Sequence, residues 1–151
     1  MIKEKKKVPK LRSGYKRKIV AGHYRVGVSA IGNSGERYYL YCNEAIDDPL
    51  EFSVGLGYEK RDINRLFLLQ RYNSPDFPGH ENPIEGEVIT GFHIHTATQR
   101  YQIFGKRQEE KYAEATERYS NSDEALSCLL NDCGILENQT TLDIWGERDG
   151  Y

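Results

Sequence analysis

The chain has 151 residues, 38% hydrophobic and 29% charged, which is one domain's worth of sequence able to fold without a disulfide or a metal. Its net charge is −2, no apolar run approaches the roughly 20 residues of a membrane span, and the N-terminus lacks the apolar core of a secretory signal. Cys42, Cys128 and Cys133 cannot all pair and form no C-x-x-C unit, so the expectation is reduced thiols in a cytoplasm and no membrane partner.

The near-neutral total hides an asymmetry. Residues 1–18 hold nine bases and one acid, Glu4, so about +8 sits there and about −10 on the rest. Residues 1–17 are expected to be a basic flexible tail, too charged to pack, and residues 18–151 a single α+β domain. The tail from Lys3 to Lys18 is a candidate contact for a protein partner or for nucleic acid. The acidic body cannot grip a phosphate backbone as a whole, so a nucleic acid would have to be met locally.

From Lys18 the pattern turns to short alternating runs. "YRVGVSAI" (Tyr24–Ile31) places Val26, Val28 and Ala30 on one face, as a half-buried strand does. "GNSG" (Gly32–Gly35) supplies the turn, and "ERYYLYC" (Glu36–Cys42) the return strand. "EFSVGLGYE" (Glu51–Glu59) and "NRLFLLQRY" (Asn64–Tyr72) read as a second pair. "NSPDFPGHENPIEGE" (Asn73–Glu87) carries three of the five prolines and reads as a long loop, of the kind that often carries function. "EVITGFHIHTAT" (Glu87–Thr98) is the most strongly β stretch, and the charged "KRQEEKYAEATERY" a loop or a short exposed helix. "SNSDEALSCLLNDCG" is the one clear helix: Ser120 or Ser122 suits its cap, Asp123 and Glu124 its first turn, and Gly134 its stop. Ala125, Leu126, Leu129, Leu130 and Cys133 form its apolar stripe. "TLDIWGERDGY", with Trp145, suggests a last edge strand. The predicted fold is α+β: an antiparallel, meander-like sheet of about six strands with one C-terminal helix packed on it.

The chemistry concentrates in "GFHIHTATQRYQ" (residues 91–102). Residues i and i+2 of a strand share a face, so His93 and His95 point one way while Phe92 and Ile94 point the other, into the core. Such a pair can grip a metal with Glu85, Glu87 or His80 as a third donor. It can act as general acid and base on a phosphodiester, with Arg100 or Arg71 holding the phosphate. It can bind a ligand through hydrogen bonds, or it can simply decorate a solvated sheet face. The cupin pattern fails, because Gly86 lies too far upstream and Gln99 or Arg100 stands where a glutamate belongs. The two-histidine phosphoesterase pattern fails too, since His95 and Ala97 occupy its threonine positions. No metal and no cofactor is assigned from the sequence. The expected ligand-binding face consists of His80, His93, His95, Thr96, Thr98, Arg71, Arg100 and Tyr101; His93, His95 and Arg100 are catalytic only if the protein is an enzyme.

Arg is followed by Tyr four times, at Arg37, Arg71, Arg100 and Arg118, where chance gives about 0.8. Arginine holds phosphates and tyrosine stacks on bases, which suggests a nucleotide-binding sheet. Adjacent strand residues point to opposite faces, however, so tyrosines in the core with arginines outside produce the same pattern.

"DPLEFSVGLGY", "NRLFLLQRYN", "FHIHTATQRYQ", "KYAEATERY" and "ALSCLLNDC" occur in this order over residues 48–134. Together they resemble a family of small uncharacterised prokaryotic proteins marked by the FHIHTAT-x-RYQ motif. The resemblance implies a setting among defence or mobile-element genes and no particular activity. The leading functional expectation is a small ligand- or nucleic-acid-binding accessory protein. Its rivals are a metal-independent phosphodiesterase or ribonuclease using the His-x-His pair, and a protein-interaction module such as an inhibitor or antitoxin.

Overall fold

The computed structural model describes residues 2–7, 18–60, 66–76, 78–98 and 111–136. Its strands are β1 (Lys6–Lys7), β2 (Lys18–Val20), β3 (His23–Gly32), β4 (Arg37–Ala45), β5 (Phe52–Glu59), β6 (Leu66–Asn73), β7 (His80–Asn82), β8 (Glu87–Ile89), β9 (His93–Thr96), β10 (Ala113–Ala115) and β11 (Ile135–Leu136); the helix α1 spans Ser122–Asp132. The main sheet runs β10-β9-β6-β5-β4-β3-β1-β11, with β2 also on β3, and β7 and β8 form a separate hairpin. β3 to β6 are a meander, and all described pairings are antiparallel except β1 with β11. The expected α+β architecture is therefore the one observed.

Alternation builds the core. Val26, Val28, Ala30, Tyr38, Leu40, Cys42, Val54, Leu56 and Tyr72 are buried on one face, against Ala125, Leu126, Leu129 and Leu130 of α1. The cap of α1 is Asn121, not Ser120 or Ser122: Asn121 Oδ1 accepts from the Glu124 amide at 2.8 Å. Ser122 instead opens the helix and donates to the buried Glu44 carboxylate at 2.7 Å. Gly134, at φ +66°, ends the helix as the sequence suggested.

Two of the Arg-Tyr pairs, Arg37–Tyr38 in β4 and Arg71–Tyr72 in β6, resolve as sheet alternation, whereas Arg118–Tyr119 lies in the connection between β10 and α1. Tyr38, Tyr72 and Tyr119 are buried while Arg37 and Arg118 are exposed and Arg71 is half-buried. The Arg100–Tyr101 pair, like Trp145, lies outside the described residues.

Three local expectations are corrected. Lys6 and Lys7, read as part of the tail, pair with Gly32, Ile31 and β11. Lys6 is fully buried, its Nζ donating to the carbonyls of Ile2 (2.6 Å), Glu4 (2.7 Å) and Cys133 (2.8 Å) and standing 4.6 Å from the Tyr38 ring centroid. A charged residue packs here because three acceptors replace its water; Lys6 is thus withdrawn from any partner-binding tail. The proline-rich stretch is a loop only in part: from His80 onward it forms the β7–β8 hairpin, closed by Gly86 at φ +71°. The charged segment after residue 110 contributes strand β10 rather than a loop or helix, because a three-residue strand needs only backbone partners, which β9 supplies.

Candidate metal centre

Two sheet rows meet at β9. In one, Arg25, Asn43, Ser53, Asn73, His93 and Ala115 stand in register across β3, β4, β5, β6, β9 and β10. In the next, Gly27, Tyr41, Gly55, Arg71, His95 and Ala113 do the same. These residues lie on the face opposite α1, as alternation requires for the neighbours of buried Tyr72 and Leu40.

His93 and His95 share that face, but they are not solvated: they are 0% and 3% exposed. The start of the β7–β8 hairpin covers them. The His80 ring stacks on His93 (5.5 Å between centroids, 13° between planes) and meets His95 edge-on (4.5 Å, 78°). Asp76, in the loop after β6, completes the group. One ligand atom from each of Asp76, His80, His93 and His95 lies within 4.8 Å of every other.

The rings are oriented by their second nitrogens. His80 Nε2–H donates to the Lys111 carbonyl at 2.9 Å, leaving the lone pair on Nδ1. His93 Nδ1–H donates to the Gly91 carbonyl at 2.9 Å, leaving the lone pair on Nε2. Backbone carbonyls fix the tautomers of metal-binding histidines in the same way. His93 Nε2 is buried without a hydrogen-bond partner and faces Asp76 Oδ2 at 3.3 Å. With the ring neutral both atoms are acceptors and repel, so either a proton on Nε2, making an ion pair with Asp76, or a metal ion between them is required. Burial pushes the His93 imidazole below its ordinary value, against the Gly91 hydrogen bond and the Asp76 charge, which raise it. A neutral ring is the form that binds metal.

The hairpin is held in place by a second contact. Asn82, fully buried, donates from Nδ2 to the Ala113 carbonyl at 2.7 Å and accepts from the Ala113 amide at 2.9 Å. Across the sheet, the Tyr119 hydroxyl lies 2.8 Å from both the Asn73 and His93 carbonyls, tying β6 to β9 beneath the site.

The other expected residues divide. Arg71 joins the site, its Nη2 3.5 Å from His95 Nε2. Thr96 does not: it shares the face of Ile94, where Gln70 Nε2 lies 3.4 Å from its hydroxyl. The Thr98 hydroxyl is buried without a hydrogen-bond partner among the described residues, and Arg100 and Tyr101 lie outside them. Glu85 and Glu87, considered as donors, are exposed in the hairpin, and Glu87 Oε2 is 3.4 Å from Asn82 Nδ2. The carboxylate that the sequence reading missed is Asp76, whose only signal is its place four residues before His80 in the proline-rich stretch.

A separate cleft of about 530 Å³, lined by Ile2, Lys3, Gln70, Arg118 and Asp132 among others, opens on the α1 side and does not reach the histidines. The chain matches no family model, no curated protein and no solved structure.

Proposed function

We propose that the protein binds one divalent first-row transition-metal ion through Asp76, His80, His93 and His95, and uses it to hold and polarise an oxygen ligand. The observation that carries this reading is the pair of facing acceptors, His93 Nε2 and Asp76 Oδ2, 3.3 Å apart. Around a tetrahedral zinc with bonds of 2.0–2.1 Å, neighbouring donors stand about 3.4 Å apart. Three imidazoles with one carboxylate suit zinc, iron or manganese better than calcium or magnesium, which prefer all-oxygen shells.

A Lewis-acid role fits better than a structural one. Structural zinc sites are closed and usually thiolate-rich, whereas sites that handle substrate leave a side open. Here the imidazoles of His93 and His95 close the inner side, while the Asp76 side chain is 49% exposed. Metal-free acid–base work by His93 and His95 is less well supported, since buried rings covered by His80 present no exposed nitrogen pair to a phosphodiester.

The test is titration of EDTA-stripped protein with Zn²⁺ and Co²⁺, followed by calorimetry and by the visible Co²⁺ spectrum. One equivalent is expected to bind, with affinity falling about 100-fold or more in His93→Ala. Equal, weak binding by the wild type and by a His93→Ala/His80→Ala double variant would sink the proposal.

A further inference from the structure

The face that leads to the metal centre carries its own recognition pattern. Tyr41 is paired with Gly55, and Gly55 with Arg71, which is paired with His95. The Tyr41 ring lies across Gly55, filling the space that a side chain there would take. The Tyr39 ring similarly covers Gly27. Two aromatic rings thus lie down on one sheet face, and that of Tyr41 covers the residue paired with Arg71. Arg25, exposed, stands at the far end of the same face with Lys18 paired opposite it. Asn43 Oδ1, on the strand paired with Arg25 on its other side, is a buried acceptor without a partner among the described residues.

The charges point to the ligand. A dication held by the four donors would lie beside His95, where the Arg71 guanidinium also stands, and Asp76 is the one carboxylate of the cluster among the described residues. The remaining positive charge calls for an anion spanning the ion and Arg71. A phosphate group meets that need, and a base attached to it would stack on the ring of Tyr41, across Gly55 from Arg71. From β9 to β3 there are four strand spacings, roughly 19 Å. That is too long for one nucleotide and ends at a second basic pair.

Resting on the metal reading above, we propose that this face takes a single-stranded nucleic acid. One phosphodiester is held between the metal and Arg71, the adjoining base stacks on Tyr41, and the strand runs over Tyr39 towards Arg25 and Lys18. The acidic balance of the rest of the chain does not oppose this, because the contact is confined to one face.

The proposal is tested by fluorescence anisotropy with labelled oligo-dT and oligo-U of about ten nucleotides, on protein loaded with one equivalent of Zn²⁺ and on EDTA-stripped protein. Deoxythymidine monophosphate and inorganic phosphate serve as competitors. Expected is binding that needs the metal, weakens steeply with salt, and is competed poorly by either small phosphate. Tyr41→Ala should weaken it about fivefold or more with zinc stoichiometry unchanged; Arg71→Gln should weaken it at least as much. Zinc binding without oligonucleotide binding overturns this proposal and leaves the metal reading standing. Equal competition by the monophosphate replaces the strand with a small phosphate ester, and oligonucleotide affinity indifferent to Tyr41→Ala and Arg71→Gln places the strand elsewhere. Failure to bind zinc removes both.

Discussion

Asn82 holds Ala113 by both of its backbone groups, accepting from the amide at 2.9 Å and donating to the carbonyl at 2.7 Å. One amide side chain thus imitates a strand neighbour and joins the β7–β8 hairpin to the main sheet. His80 reaches the same strand end through the Lys111 carbonyl, so the lid over His93 and His95 is fastened at two points.

Replacing Asn82 with alanine leaves two buried backbone groups unpaired, which costs about 1–3 kcal/mol each. We expect urea denaturation of Asn82→Ala to show a loss of about 2 kcal/mol or more. Unchanged stability would mean that water replaces the side chain without penalty.

Ion binding should also appear as stability. A ligand that binds only the folded protein adds about 2.7 kcal/mol at 100 times its Kd. Thermal melts in Zn²⁺ should therefore rise by several degrees over melts in EDTA, and the increment should vanish in His80→Ala. A Zn²⁺ shift that persists in that variant would place the ion elsewhere.

The tyrosine-on-glycine contacts predict a directional result. Gly55→Ala puts a methyl group where the Tyr41 ring lies, and overpacking of this kind costs about 1–3 kcal/mol. The penalty should shrink in a Tyr41→Ser background, because the two sites touch. Additive penalties would show that the ring moves aside freely.

Acid should loosen the N-terminal anchor. Hydrogen bonds from Ser34, then from the Tyr38 hydroxyl, bring the Glu4 carboxyl from 4.5 to about 2. Asp132 also sits below its ordinary 3.8: burial raises it, but hydrogen bonds from Arg118 and Tyr72 outweigh that. A depressed carboxyl contributes stability that is complete above its unfolded value and is lost as pH falls through the folded one. Unfolding free energy should therefore drop between pH 4.5 and 2, less steeply in Glu4→Gln. Parallel pH profiles for the two proteins would exclude Glu4 as a contributor.

Much of the fold was legible because its physics is local. Val26, Val28 and Ala30 alternate, as do Tyr38, Leu40 and Cys42, and the α1 stripe is written at helical spacing. His93 and His95 were singled out correctly as facing one way, since period 2 dictates it. Their burial was not legible: it depends on where the β7–β8 hairpin lands, and no pattern within that hairpin specifies β9 as its target. Asp76 was hidden for the same reason, being a donor only once the loop folds back. Thr96 was misplaced onto the site because the segment was taken as one polar surface, although alternation puts it with Ile94. Lys6 was misread because its partners are backbone carbonyls, one of them Cys133, which lies 127 positions further along.

The Asn82 clasp has a consequence beyond holding the hairpin. β10 is the outermost strand on its side of the described sheet, and outermost strands offer unpaired amides and carbonyls to other chains. At Ala113 both groups are already taken by a side chain that cannot extend a ladder. The contact that fastens the hairpin over the histidines therefore also blunts the edge at that point, leaving Ala113 no free backbone group with which to extend a ladder to another chain.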